Sequence, residues 1–467
     1  MKSKVLVLAG VLFLVSGISS YGAEDAAGGR PRDKVKLERI VVTPIRMTQY
    51  DYKTTSDVIV IGREEIEASS ARYISDILKE TTGINVYDSS TEKTVRVDIR
   101  GFVDTSVSNI LVLINGRKVN SIDISGPDWM QIPLETIERI EIVRGAGSVL
   151  YGDNAVGGVV NIITKKGEGK VSGKIGAKHG SYNMRQADAE ISGTKDKISY
   201  YLYSKQFNTK GYRSNSDVHT KDHNARVGYI FSEDLYMDLM TGWHEDDYGL
   251  PGGLNDQGEL AQYGRRGSPD GENYASTKDR YVQFSIDATP RFKDAYLGEL
   301  AVDLSYRNRD AYSWFDYGVW GSSASKYMID TYGINTRYMF DKYIFDREFN
   351  FVTGIDYYDV EHIIRGSGSG MSTSTDDLTI YKDEFGIYAY SEFELFNKLF
   401  INGGARYQKA DYTFDQRKAT ANYETKNPDE SVLMGGLKYE YPDGSILHFN
   451  VHQTFRFLAT DEWYSTW

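Results

Sequence analysis

The stretch "ERIEIVRGAGSVLYGDNAVGGVVNIITKKG", residues 138–167, sets an alternating apolar run against Gly145-Ala146-Gly147. A strand that enters Gly-x-Gly is how many phosphate-binding loops begin, because glycine lets backbone N–H groups approach an anion at the start of a helix. Here Leu150 stands where the third glycine of G-x-G-x-x-G belongs. The segment that follows, 159–164, reads as a strand, so no helix N-terminus is expected to face a phosphate. The glycines are better suited to tight backbone turns.

Other combinations able to do chemistry lead no further. Seven histidines accompany acidic stretches such as "EDDYG" (245–249) and "DVEH" (359–362), but no spacing matches a tetrahedral zinc set. No twelve-residue calcium loop occurs, although calcium among the Asp-rich loops stays open. Paired carboxylates are plentiful, yet none sits where one pKa would be raised for acid–base work. There is no Gly-x-Ser-x-Gly elbow and no cysteine, which removes the hydrolase turn, thiol catalysis and disulfide scaffolds. No catalytic residue, metal ligand or cofactor is therefore assigned, and the chain is not read as an enzyme. A net charge of -12 and a pI near 5.2 argue against a nucleic-acid partner.

The elements come in a definite order. "MKSK" followed by an 11-residue apolar core (5–15) and small residues reads as a signal peptide, cleaved after Gly22 or Ala23. Residues 24–36 are polar and Gly/Pro-bearing, a flexible tether within a flexible N-terminus spanning 24–56. In "LERIVVTPIR" (37–46), Ile40, Val41, Val42 and Thr43 favour a strand that Pro44 keeps out of a sheet centre. It serves either as an edge strand of the next domain or as a docking strand for another protein's sheet. Residues 57–167 read as a compact α+β unit, with strands at "DVIVIG", "TVRVDIRG", "NILVLINGRKV" and "ERIEIV". Short helices are expected at "REEIEASS" and "ARYISDILKETTG".

From 171 onward about thirteen segments of about nine to twelve residues alternate with period two. Leu235, Met237, Leu239, Thr241 and Trp243 share one face, opposite Tyr236, Asp238 and Met240. A soluble sandwich and a transmembrane barrel share that period and differ in which face points outward. Tyrosines and tryptophans recurring near strand ends favour the barrel, as do short turns ("FSEDLY", "FNK", "YPDGS") alternating with long loops at 245–276, 359–383 and 409–430. A mean hydropathy of -0.46 fits a barrel as well as a soluble protein, since each strand averages two faces. The fold class expected is mainly β: an N-terminal α+β domain over 57–167 and an antiparallel transmembrane β-barrel over 171–467.

Three blocks resemble the TonB-dependent outer-membrane receptors, the family that imports siderophores, cobalamin and similar scarce ligands. "RIVVTPIR" resembles the TonB box. "VRVDIRGF…NILVLINGRKVN…QIPLETIERIEIVRGAGSVLYGDNAVGGVVNIITKKG" resembles the plug domain nearly throughout, and "FRFLATDEWY" resembles a strand-end motif of the barrel. The resemblance implies a plug that blocks the barrel until TonB, driven by its inner-membrane energising complex, engages Arg39, Ile40, Val41, Val42, Thr43 and Pro44. It implies the Gram-negative outer membrane as location, with membrane lipid around the barrel and a small-molecule ligand such as a metal chelate as cargo. It makes Gly101, Gly145, Gly147, Gly152, Gly157 and Gly158 turn glycines of the plug. Arg100 and Arg144 match plug positions that face barrel-wall glutamates in the family, and Glu462 is a candidate wall partner. "YGLPGGL" (248–254) resembles part of a long outer loop, which puts Tyr248 and Tyr263 forward for ligand contact.

Barrels of this family close with about 22 strands. Thirteen fall short, so the chain is expected to be C-terminally truncated. A passive pore or ligand-binding barrel without energy coupling is the alternative, and the box together with the full plug speaks against it.

Overall fold

The computed structural model describes residues 40–41, 46, 49–50 and 57–463, apart from 88–92, 94, 255–258, 269–272, 293–294, 319–320, 369–376, 417–421 and 444. The signal peptide and tether expected over 1–36, and Arg39, Val42, Thr43 and Pro44 of the box, lie outside the described residues. Ile40–Val41 pairs antiparallel with Gln49–Tyr50.

The alternating run at 137–144 becomes Ile137–Arg144, the second strand of a five-stranded plug sheet. In spatial order the strands are Asp57–Gly62, Ile137–Arg144, Gly158–Thr164, Ile110–Ile114 and Arg117–Lys118. Only Ile110–Ile114 and Gly158–Thr164 run parallel. Asn115 and Gly116 both take positive φ (50° and 82°), the pair that a two-residue hairpin requires. Helices Arg63–Ala68 and Ile74–Lys79 cover one face. Each start is closed by its own carboxylate: Glu65 accepts the Gly62 N–H at 2.8 Å, and Asp76 accepts the Arg72 N–H at 2.9 Å. Ile74, Leu78, Ile99, Ile140, Ile142, Val160 and Ile162 meet in the core at 0 % exposure. The plug thus owns an apolar core and does not need the wall to bury it.

Thirteen antiparallel strands form the wall, each paired with the next, from Ser172–Gly180 to Ile446–His452. A short fourteenth, Asn422–Lys426, pairs with Leu399–Gln416. Connections on one side are tight. Phe345 and Asp346 turn with φ of 54° and 58°, between Ser322–Ile344 and Arg347–Gly368.

Many strands are longer than nine to twelve residues, reaching 23 in Ser322–Ile344. Two expected long loops are mostly strand. Arg347–Gly368 and Asp377–Phe396 run through most of 359–383, while Leu399–Gln416 and Asp429–Glu440 occupy much of 409–430. The reason is physical: about ten residues suffice to cross a bilayer. Strand ends beyond it lose the apolar outer face and resemble loops in sequence. The connection after Leu235–Gly249 remains long and carries the helix Glu259–Tyr263.

Facing decides between barrel and sandwich. Leu239, Trp243, Val282, Ile334 and Ile387 point outward at 42–46 % exposure, whereas Asp238, His244, Asp246, Asp279, Asp356 and Arg406 are buried toward the plug. Apolar outside and polar inside is the transmembrane-barrel sense and the reverse of a soluble sandwich. Among the described residues no ladder joins Ser172–Gly180 to Ile446–His452, so the sheet is open. After the last strand the chain turns inward: Phe455 and Phe457 are buried and Thr460 donates its N–H to Ile122 O of the plug.

Candidate functional site: the plug–wall interface

The interface is rich in charges, beside apolar contacts that Val149 and Leu150 of the plug make with the wall. Near the N-terminal end of the described chain, Arg46 is 9 % exposed and donates from Nη1 to Asp356 Oδ1 at 3.0 Å. Its guanidinium lies between the rings of Tyr151 (4.5 Å) on the plug and Tyr388 (4.7 Å) on the wall. Asp356 is shared with Arg406, whose Nη1 donates to Oδ2 at 2.9 Å. The chain of contacts continues through Gln408 to Glu384, and from Glu384 to Lys382 and the plug's Lys118. Lys118 and Lys382 both reach Asp153 of the plug, at 3.5 and 3.4 Å.

A second network starts from Lys93 on the plug. Its ammonium bonds Asp128 at 2.8 Å and also Asp246 of the wall. Burial alone would lower the Lys93 pKa, but Asp128 and Asp246 outweigh it and hold the group charged, above the ordinary lysine value. His244 lies between Asp222 (2.6 Å) and Asp246 (2.9 Å), and Arg309 reaches Asp128 at 3.4 Å. Arg307 joins wall to plug by donating to Asp279 and Val119 O, each at 3.0 Å. Glu135, in the plug turn Leu134–Thr136, faces the first three wall strands. It accepts from Gln186 (2.9 Å), Tyr203 (3.1 Å), Lys178 (3.2 Å) and Lys205 (3.4 Å).

This wiring corrects three expectations. Arg144 does not face a wall carboxylate. It turns back within the plug to Asp57 (2.8 Å) and Thr82 O (3.1 Å), because Asp57 lies opposite it in the sheet register. Arg100, at φ 75°, is exposed, packs over Gly145 and pairs with no carboxylate among the described residues. Glu462 takes Arg456 of its own inward segment, at 2.7 Å. The residues that link plug to wall are instead Arg46, Lys93, Lys118, Asp128, Glu135 and Asp153. Polarity is mixed, with plug carboxylates as prominent as plug cations.

The opening glycine loop also differs from expectation in one respect. A single helical turn, Ser148–Tyr151, separates Gly147 from Gly152. Its first residue is buried, and the Ser148 hydroxyl bonds Phe455 O, so the turn docks on protein rather than on an anion. Gly152 has φ 78° and lies against the wall, where an added Cβ would come within 2.8 Å of Arg406 Nε and would also strike Gln408. Gly101 has φ 82° with open space around it. Gly101→Ala should therefore carry only the backbone cost, about 1–2 kcal/mol. Gly152→Ala adds the clash with the wall, and should lower the detergent-state melting temperature and trypsin resistance of the plug distinctly more. Equal losses would show that the close approach at Gly152 has no energetic weight.

Tyr248 and Tyr263 are placed differently from one another. Tyr248 is half-buried beside the plug with Lys93 Nζ 5.2 Å from its ring centroid. Tyr263 is 41 % exposed at the end of the outer-loop helix. Between plug and wall lies a narrow cavity of about 50 Å³, lined by Lys118, Asp123, Asp153, Arg307, Arg309 and Glu384 among others.

Residues 51–159 match the model of the TonB-dependent receptor plug domain. Over 234 residues the chain is 29 % identical to the vitamin B12 transporter BtuB of Photobacterium profundum, covering 47 % of this chain and 38 % of that one. The chain carries a TonB-dependent receptor plug domain. Another receptor of this kind, the probable TonB-dependent siderophore receptor PirA of Acinetobacter baumannii, is 33 % identical over 199 residues, 37 % of this chain and 25 % of its own. The chain thus spans less than two fifths of the length of these curated relatives. In fold it is similar to the unliganded ferric citrate transporter FecA, with a TM-score of 0.77 at 17 % identity over 87 % of this chain and 63 % of that one. It is also similar to the ferripyoverdine receptor of the outer membrane of Pseudomonas aeruginosa, with a TM-score of 0.73 at 15 % identity, covering 91 % and 60 %. It shares the plugged β-barrel fold of these receptors.

Proposed function

We propose that the protein is a receptor for TonB-dependent active uptake of a scarce small molecule such as an iron-siderophore or cobalamin. Transport is its task, with no catalysis. The observation that carries this reading is the contrast between the two interiors. The plug core is apolar and its own, while its boundary with the wall is rich in ion pairs and hydrogen bonds, with apolar contact centred on Val149 and Leu150. Polar contacts can be exchanged for water, so such a plug can shift without exposing its own core. The strand-prone "RIVVTPIR" ends on the anchored Arg46, which suits a pull from the periplasmic side by TonB through strand addition.

The test is deletion of residues 38–46 in cells whose own receptor for the ligand has been removed. Accumulation of labelled ferric siderophore or cobalamin should fall to the level of empty cells, while ligand binding to isolated outer membranes persists. Undiminished accumulation would remove energy coupling and leave a passive pore.

A further inference from the structure

The Lys93 network contains an arrangement that the transport reading does not use. Asp128 of the plug and His244 and Asp246 of the wall offer donor atoms that all lie within 4.8 Å of one another, and all three residues are buried. Lys93 Nζ stands among them, bonded to both carboxylates. Asp246 Oδ1 is buried and has no hydrogen-bond partner. Behind His244, Asp222 takes Nδ1 at 2.6 Å and so aims Nε2 at Asp246, 2.9 Å away.

We infer that Asp128, His244 and Asp246 form a latent site for a divalent transition-metal ion, held closed by the Lys93 ammonium and opened when Lys93 withdraws. With Lys93 withdrawn, its ammonium vacates a position between the Asp128 and Asp246 carboxylates that a divalent ion can take. The Nε2 to Asp246 separation of 2.9 Å is a few tenths of an ångström short of the roughly 3.3 Å between two tetrahedral ligands with bonds of about 2.0–2.1 Å, so a small spread of the two groups seats an ion. Asp222 would become the outer carboxylate that fixes a ligating histidine. One imidazole and two carboxylates suit zinc-class ions better than calcium, which takes six to eight oxygens. Three protein donors leave a further position for water or another donor. An ion bound there would pin the plug to the wall through Asp128, where Lys93 now does so.

The experiment uses the full chain purified from outer membranes in detergent, titrated with Zn²⁺ alone by calorimetry and, in parallel, with Co²⁺ by visible absorption. Lys93→Met should take up one Zn²⁺ and raise its melting temperature, while wild type takes up none at this site. On that background Asp222→Asn should weaken Zn²⁺ by about 10–100-fold. His244→Gln on the same background should abolish uptake and the Co²⁺ ligand-field bands. A folded Lys93→Met chain without Zn²⁺ uptake, or with uptake indifferent to His244→Gln, overturns the inference. Should Lys93→Met fail to fold without metal, the charge-matched Lys93→Ser/Asp128→Asn variant is the reference. Recovery of folded Lys93→Met by Zn²⁺ supports the site, and failure with Zn²⁺ present while the reference folds overturns it.

Discussion

Arg46→Ala is expected to release the segment just after the box from the wall, and trypsin should then cut at Lys53 much faster than in wild type. Arg46 is nine-tenths buried. Its hold consists of the 3.0 Å contact with Asp356 and the faces of Tyr151 and Tyr388. Removing one partner of a buried pair costs about 3–5 kcal/mol when the other is left alone. Asp356 is not left alone, because Arg406 holds its second oxygen at 2.9 Å. Two buried cation–π contacts are lost as well, at about 0.5–2 kcal/mol each. A net loss of about 2–3 kcal/mol follows, which raises the undocked population roughly 30- to 150-fold. Where opening is fast relative to cleavage, the trypsin rate rises by the same factor. Arg46→Lys keeps the charge but not the flat guanidinium between two rings, so it should fall between the two. An unchanged cleavage rate in Arg46→Ala would mean that Arg46 does not hold this segment.

The same residue shows how far the sequence could be read. Strand-prone and proline-bounded residues at 40–44 were enough to suggest a docking strand, but nothing local distinguishes Arg46 from a surface arginine. Its partner Asp356 lies 310 residues away. Period-two alternation did reveal which residues of Leu235–Gly249 face the lumen, and His244 and Asp246 fall on that face with Asp238 and Met240. Which plug side chain meets them depends on how a separate domain is rotated inside the barrel, and periodicity carries no information about that. Lys93 meets Asp246 across 153 positions, from a short plug stretch with no pattern of its own. Arg144 fails as a wall contact for a related reason. The register of the plug sheet puts Asp57 within its reach, a nearer partner than any wall residue. Element type and facing were legible because they follow from local spacing; the pairings between domains were not.

Glu135 yields the second large effect, one that depends on pH. Burial would raise its carboxyl pKa, but Lys205, its backbone contact, Gln186 and Lys178 together hold it at about 2, below the ordinary value of 4.5. A carboxylate depressed in the folded state contributes stability that is fully present above its unfolded pKa and is lost as pH falls through the folded one. The window here runs from 4.5 down to about 2. The shift sets an upper bound of roughly 3 kcal/mol at 1.36 kcal/mol per unit. Lys178 is 58 % exposed, so water screens part of the attraction, and about 1–2 kcal/mol is the realistic contribution. Glu135→Gln preserves shape and one acceptor oxygen but removes the charge. At pH 7 it should therefore melt earlier than wild type in detergent, by an amount worth about 1–2 kcal/mol. The gap should narrow steadily below pH 4.5 and nearly close at pH 2, where wild-type Glu135 is itself half protonated. Asp128 is also held below the usual carboxylate range: Lys93 and Arg309 outweigh the burial that would raise it. It therefore contributes to acid sensitivity in both proteins and cancels in the difference between them. A gap of the same size at pH 2.5 and pH 7 would show that the Glu135 charge is not what ties this corner of the plug to Lys178 and Lys205.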